Sequence, residues 1–233
     1  MESRFWVIMP AAGSARRMGA AVPKQYLPLA GRTVIEWSLA PFLAHARVAG
    51  IVVALAEQDQ RWPQMELATH AKIVTTTGGA ERMDSVLAGL RILHVKAAPE
   101  DWVLVHDAAR PCLSAADLEH LIEELRDDAV GGLLAAPVVD TLKRADDGGR
   151  VAQTVAREQL WRALTPQMFR RDILQRALEG ALSRGLSVTD EAQAVEALGL
   201  QPKLVAGDAD NIKITLPEDL PRAERILKSR GAA

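Results

Sequence analysis

The sequence predicts an α/β protein: a mostly parallel, Rossmann-like sheet with helices on both faces and a protruding β-hairpin arm. Three observations point there. Short, continuously apolar runs of strand length recur along the chain, and segments with helical periodicity alternate with them. That alternation breaks once, between Val138 and Ala156, around the turn-forming Asp146-Asp147-Gly148-Gly149. Strands covered on both faces read as unbroken apolar runs, and helical crossovers between them make the sheet parallel.

Taken in order, Phe5–Pro10 is a compact apolar strand. Thr33 to Leu43 places Ile35, Leu39, Phe42 and Leu43 at helical spacing, and Thr33 with Glu36 forms a capping box. Gly50 to Leu55 and Lys72 to Thr77 read as strands, and Arg82 to Leu93 as a helix with Val86, Leu90 and Leu93 on one face. Trp102 to His106 is a further buried strand. Ser114 and Asp117 open a helix that reaches Leu125, and Gly132 to Val138 is the next strand. Asp140 to Ala145 and Val151 to Ala156 flank the turn as a hairpin. It lacks an apolar face, and an isolated two-stranded hairpin is marginal in water, so it should pack against something such as a second subunit. Beyond it the pattern gives helices at Arg170 to Ser183 and Thr189 to Leu198. Strands follow near Lys203 to Val205 and Ile212 to Ile214, then a last helix from Pro217. No repeat or linker interrupts the chain, so residues 1–233 read as one domain with an arm at about 138–157.

Composition narrows the function. The 233 residues are 48% hydrophobic and 25% charged, with a formal net charge of -2, so no global field draws in nucleic acid or a membrane surface. The single cysteine, Cys112, cannot form an internal disulfide, which fits a reducing, cytoplasmic setting. The N-terminus lacks a basic segment followed by a long apolar one, so no signal peptide is expected. No apolar run approaches the roughly 20 residues of a membrane span.

Ligands of such sheets bind beyond the carboxyl ends of the strands, which directs attention to the loops at Ala11, Gly78 and Asp107. The first reads PAAGSARRMGAAVPKQY from Pro10. Its small residues let backbone amides approach phosphate oxygens, and Arg16, Arg17 and Lys24 supply cations for a triphosphate. The spacing is neither a Walker loop nor G-x-G-x-x-G. A glycine-containing βα turn with solvated arginines fits the same residues. Gly78-Gly79 reads first as a plain tight turn and only second as exposed backbone for a base, with Ser85 nearby. Asp107, just past a strand, suits either a turn or a magnesium ion, which needs few protein carboxylates when phosphates are present. His106 is read as a histidine at the core's edge, because an ionised phosphate nucleophile needs no general base.

These segments carry a resemblance. PAAGSARRMG with PKQYLPLAG, then GGAERMDSV, VHDAARP, PVVDTLKR, LTPQ, TDEA and DNIKIT, in that order, resemble the 2-C-methyl-D-erythritol 4-phosphate cytidylyltransferase family over nearly the whole chain. Ala15 and Ala80 depart from its pattern, which commonly has glycine and an acidic residue there. The resemblance implies CTP as co-substrate, a sugar-alcohol phosphate as acceptor, and Mg2+ or another divalent cation at Asp107. It implies Arg17, Lys24, Arg157 and Lys213 as catalytic, and Pro10, Ala11, Ala12, Gly13, Gly79, Ser85, Asp107 and Ala108 around the nucleotide. Arg110, Asp140, Thr141, Thr165 and Thr189 would line the acceptor pocket. It further implies a homodimer in which the arm reaches the neighbouring subunit. A cytidylyltransferase for another acceptor, such as ribitol 5-phosphate, shares the first loop and the HDAARP motif. A non-catalytic nucleotide-binding module is the remaining reading. Thr189 also fits a helix N-cap, Lys213 a solvent-facing strand residue, and Arg157 a surface charge.

Overall fold

The computed structural model describes residues 4–13 and 22–231. In chain order the strands are β1 (Phe5–Pro10), β2 (Pro28–Leu29), β3 (Arg32–Thr33), β4 (Val48–Leu55), β5 (Ile73–Thr77), β6 (Trp102–Val105), β7 (Gly131–Pro137), β8 (Leu142–Ala145), β9 (Val151–Val155), β10 (Trp161–Arg170) and β11 (Lys203–Ala206). The α-helices are α1 (Val34–Ala44), α2 (Arg82–Leu93), α3 (Ala115–Leu125), α4 (Arg171–Ser183), α5 (Glu191–Glu196) and α6 (Asp219–Ser229).

Among the described residues, seven strands form one sheet in the order β11-β7-β10-β6-β1-β4-β5. The β1, β4, β5 and β6 pairings are parallel, as is β11 with β7, whereas β10 runs antiparallel to both of its neighbours. The two-residue period of a strand sorts the core into layers. Phe5, Val7 and Met9 of β1 face a cluster with Ile35, Leu39 and Phe42 of α1 and Leu118, Leu121 and Ile122 of α3. Trp6 and Ile8 face the opposite cluster, with Val86 and Leu90 of α2 and Leu174 and Leu178 of α4. Burying each such side chain contributes about 1.5–3 kcal/mol. A third cluster seats α6, through Ala223, Ile226 and Leu227, on Trp37, Cys112, Ile212 and Ile214.

The helix starts follow their sequence signals. The Thr33 amide and hydroxyl both donate to the Glu36 carboxylate, at 2.6 and 2.7 Å. Ser114 accepts from the Asp117 amide at 3.0 Å. The hairpin of β8 and β9 is a separate two-stranded sheet, exposed along nearly its whole length. In its turn the Asp146 carboxylate accepts from the amides of Gly148 and Arg150, at 3.0 and 2.8 Å.

Four expectations change. The segment Ile212 to Ile214 forms no strand; it runs under α6, with both isoleucines buried there. Helix α5 is shorter than Thr189 to Leu198, and its N-cap is Asp190, which accepts from the Gln193 amide, rather than Thr189. Helix α6 begins at Asp219, two residues after Pro217. Strand β10, absent from the sequence reading, fills the sheet between β7 and β6. It carries Arg162, Pro166 and Arg170, residue types that argue against a central strand. The register with β7 breaks between Ala163 and Gln167, which lets Pro166 sit where no ladder hydrogen bond is needed.

Candidate active site

A cleft of about 270 Å³ opens beyond the carboxyl ends of β1, β5 and β6. Pro10, Ala11, Ala12 and Gly13 line one side, Gly79 and Ser85 a second, and Asp107 and Ala108 the floor, with Lys24 and Lys213 also at the wall. Arg17 lies outside the described residues.

The walls are fixed by backbone bonds. The Ala11 amide donates to the Ala54 carbonyl at 2.8 Å, and the Gly78 amide to the Leu55 carbonyl at 2.7 Å. Gly79 is packed so tightly that a Cβ would lie 2.2 Å from Cβ of Asp84. The Gly79 amide donates to Ser85 Oγ at 3.2 Å, which ties the glycine turn to the first turn of α2. Lys24 begins a short 3-10 turn. Its neighbour Gln25, buried, donates to the Ala11 carbonyl at 2.8 Å, and the Tyr26 hydroxyl donates to Asp59 at 2.6 Å. The Lys24 ammonium donates to the Ile214 carbonyl at 3.1 Å. This contact joins the first loop to the segment that carries Lys213.

Asp107 organises the floor. Arg82 Nε lies 3.0 Å from its Oδ1, and Lys213 Nζ 2.8 Å from its Oδ2. Arg110 Nε lies 3.5 Å from the same Oδ2. Burial pushes the carboxyl upward, but Arg82, Lys213 and Arg110 outweigh that and hold it far below the usual carboxylate range. Arg82 also pairs with Glu191, whose carboxyl burial pushes up. Arg110, shielded from solvent, donates to the Asn211 carbonyl at 2.7 Å; burial lowers its pKa.

His106 is fully buried, tilted against Phe42 with ring centroids 5.1 Å apart. Its Nε2 faces the Arg110 carbonyl at 3.1 Å, an acceptor, so the neutral ring carries its proton there. Nδ1 then accepts from the Thr165 hydroxyl at 2.9 Å, and Thr165 Oγ1 accepts from the Asp107 amide at 3.2 Å. Thr165 therefore stands behind Asp107, its proton directed inward. Burial lowers the His106 pKa from 6.5 to about 4, against the opposing pull of Asp107. Between those values the unfolded chain binds a proton that the folded protein refuses, so acidification drains stability. The unfolding free energy should fall below pH 6.5 with a slope approaching about 1.4 kcal/mol per pH unit. His106→Gln should flatten that slope in pH-dependent denaturation; an unchanged slope would disprove a buried neutral ring.

The remaining nominated residues lie elsewhere. Asp140, Thr141 and Arg157 are exposed at the base of the hairpin, with Arg157 donating to the Val139 carbonyl. Thr189 donates from its amide and hydroxyl to Gln193 Oε1, at 2.7 and 3.1 Å. None of the four lines the cleft of the same chain. Sequence reasoning gives Arg82 only a place at the start of a helix and passes over Glu191 and Gln25. Glu191 is visible there only as an acidic residue at a helix start, and nothing local shows that it faces an arginine 109 positions away. Cys112 is buried, which pushes its thiol up to about 12. Among the described residues no helix is long and apolar enough to cross a membrane.

Comparison with known proteins gives the family. The family model described as 2-C-methyl-D-erythritol 4-phosphate cytidylyltransferase matches residues 5–229. The protein of that name from Pseudomonas aeruginosa (strain UCBPP-PA14) is 57% identical over 222 residues, covering 95% of each chain. The crystal structure of the Francisella tularensis protein of that name superimposes with a TM-score of 0.84 at 36% identity, covering 97% of this chain and 100% of that one. The crystal structure of the Thermus thermophilus protein gives 0.78 at 35% identity, covering 98% and 100%. A match along nearly the whole length, with the cleft at the motifs, makes the chain a member of the 2-C-methyl-D-erythritol 4-phosphate cytidylyltransferase family.

Proposed function

We propose that this chain transfers the cytidylyl group of CTP to the phosphate of 2-C-methyl-D-erythritol 4-phosphate, a step of isoprenoid synthesis. The observation that carries the reading is the convergence of Lys24, Lys213 and Asp107 on one cleft beside a loop of small residues. An acceptor phosphate oxygen attacks the α-phosphorus, a new P–O bond forms, and the bond to the β-phosphate oxygen breaks to release pyrophosphate. Such a displacement asks the protein for positioning and charge neutralisation, with no covalent intermediate.

Backbone from Pro10 to Gly13, with Gly79, Ser85 and Ala108, surrounds the nucleotide. Lys24 and Arg17 neutralise the triphosphate as charge shifts to the leaving group, and Lys213 meets the two phosphates that react. Asp107, held ionised, fits the one carboxylate that Mg2+ or another divalent cation takes when a triphosphate supplies the other oxygens. Asp107 would hold that ion, which would supply positive charge beside the departing pyrophosphate. Arg110, Thr165 and Thr189 shape the acceptor side.

The reading includes a homodimer in which Asp140, Thr141 and Arg157 of the arm serve the partner's cleft. Exposure of the arm and its lack of an apolar face support it. Mixing inactive Arg157→Ala and Lys213→Ala subunits should restore about a quarter of wild-type activity. Half the dimers would be mixed, each with one intact site. No recovery would place Arg157 in its own subunit's site. The reading further includes one domain over residues 1–233, testable by limited proteolysis, and a cytoplasmic location, testable by fractionation. It involves neither nucleic acid nor membrane.

The deciding assay supplies purified enzyme with CTP and Mg2+ and follows pyrophosphate release with 2-C-methyl-D-erythritol 4-phosphate and, separately, ribitol 5-phosphate. Turnover with the first supports the assignment. Turnover with ribitol 5-phosphate alone would overturn it.

A further inference from the structure

Arg82 is placed unusually between two carboxylates. A guanidinium facing a carboxylate favours the two-pronged arrangement, with parallel N–H groups on both oxygens. Here Arg82 gives Nε to Oδ1 of Asp107 at 3.0 Å and turns Nη1 to Glu191. Oδ2 of Asp107 takes Lys213 at 2.8 Å, with Arg110 Nε farther off at 3.5 Å. Glu191 is buried, 1% exposed, at the start of α5, and its Oε2 has no hydrogen-bond partner. Gln167 fixes that start: its Oε1 accepts from the Ala192 amide at 2.8 Å, and its Nε2 donates to Asp190 at 3.0 Å. A buried ion pair is weak evidence for stability, since apolar replacements often serve as well. Its geometry is better explained by what it prevents.

We infer that Glu191 is a positioning residue: by holding one arm of Arg82, it keeps that arginine on a single oxygen of Asp107 and reserves the other for Lys213. Four alternating charges, Glu191, Arg82, Asp107 and Lys213, thus run from the start of α5 to the cleft wall. Without the charge at Glu191, Arg82 closes onto both oxygens of Asp107 and Lys213 loses the anchor that aims its ammonium. The inference deepens the proposed cytidylyl transfer and rests on that reading for its kinetic consequences.

The test is Glu191→Gln in the full chain, which keeps shape and an acceptor oxygen but removes the charge. The expected result, measured well below the variant's thermal midpoint, is a kcat about tenfold lower with the KM for CTP within about twofold; the midpoint itself falls, because one member of a buried charged pair is removed. Glu191→Asp, which restores the charge on a shorter stem, should recover part of the loss. It also serves if the Gln variant fails to fold. A crystal structure of Glu191→Gln should show Arg82 on both oxygens of Asp107 and Lys213 more than about 4 Å away. Unchanged kcat, activity lost only in step with stability, or Lys213 still on Asp107 would each overturn the inference. If the wild-type enzyme turns over no methylerythritol phosphate, the functional reading fails instead, and the Lys213–Asp107 geometry still decides the role of Glu191.

Discussion

Lys24→Ala is expected to lower kcat on the order of 10²–10³-fold while the affinity for CTP falls by less than about tenfold. The reason lies in when the charge is needed. In the bound triphosphate the negative charge is already spread over the chain of phosphates, and backbone groups of the small-residue loop share in holding it. As the bond to pyrophosphate breaks, charge gathers on the leaving oxygen, and a cation fixed beforehand acts on that increment alone. Lys24 is fixed beforehand. Gln25 straps its turn to the end of β1, Tyr26 ties the turn to Asp59, and the ammonium rests on the Ile214 carbonyl. Single-turnover rates and CTP titration on the same variant separate the two effects. Equal losses in binding and rate would make Lys24 a ground-state contact only.

The legible and illegible parts of the site differ in range. The three loops can be read because each follows an apolar strand, and because cations and small residues cluster within a few positions, as in Pro10 to Lys24. The helix caps at Thr33 and Ser114 and the hairpin turn are local in the same sense. Strand β10 is hidden because its sequence contradicts its place: Pro166 sits at a register break, and Trp161 and Arg162 are exposed at its outer end. The stretch Ile212 to Ile214 has strand composition, but α6 covers its isoleucines and no neighbouring strand pairs with it. The resemblance places Thr165 along the acceptor pocket. Its hydroxyl also links His106 to the Asp107 amide, an arrangement that depends on residues 58 and 59 positions away. The salt-linked floor is long-range throughout, since Arg82, Asp107, Glu191 and Lys213 come from four separate segments.

Asp107→Asn should show what that floor does, because its effects on binding, rate and stability part company. The substitution leaves Arg82, Arg110 and Lys213 around a neutral amide. Removing one member of a buried charged group costs about 3–5 kcal/mol, and the low end applies because asparagine keeps one acceptor oxygen. The folded-state pKa of Asp107 lies below its ordinary 3.8, so the carboxylate's contribution is fully present above that value and lost as pH falls below it. The stability gap between variant and wild type should therefore stay flat across neutral pH and narrow only in acid. In the absence of a divalent cation, CTP should bind the variant at least as well as the wild type, since the floor has become more positive. Yet kcat should fall by about 100-fold or more, because Lys213 is no longer aimed and the carboxylate proposed to hold the metal is gone. Calorimetric CTP binding, chemical denaturation at several pH values and steady-state kinetics measure the three quantities separately. A kcat within about threefold of wild type, or CTP affinity falling in proportion to the rate, would remove Asp107 from the centre of the mechanism and leave it a structural anchor for three cations.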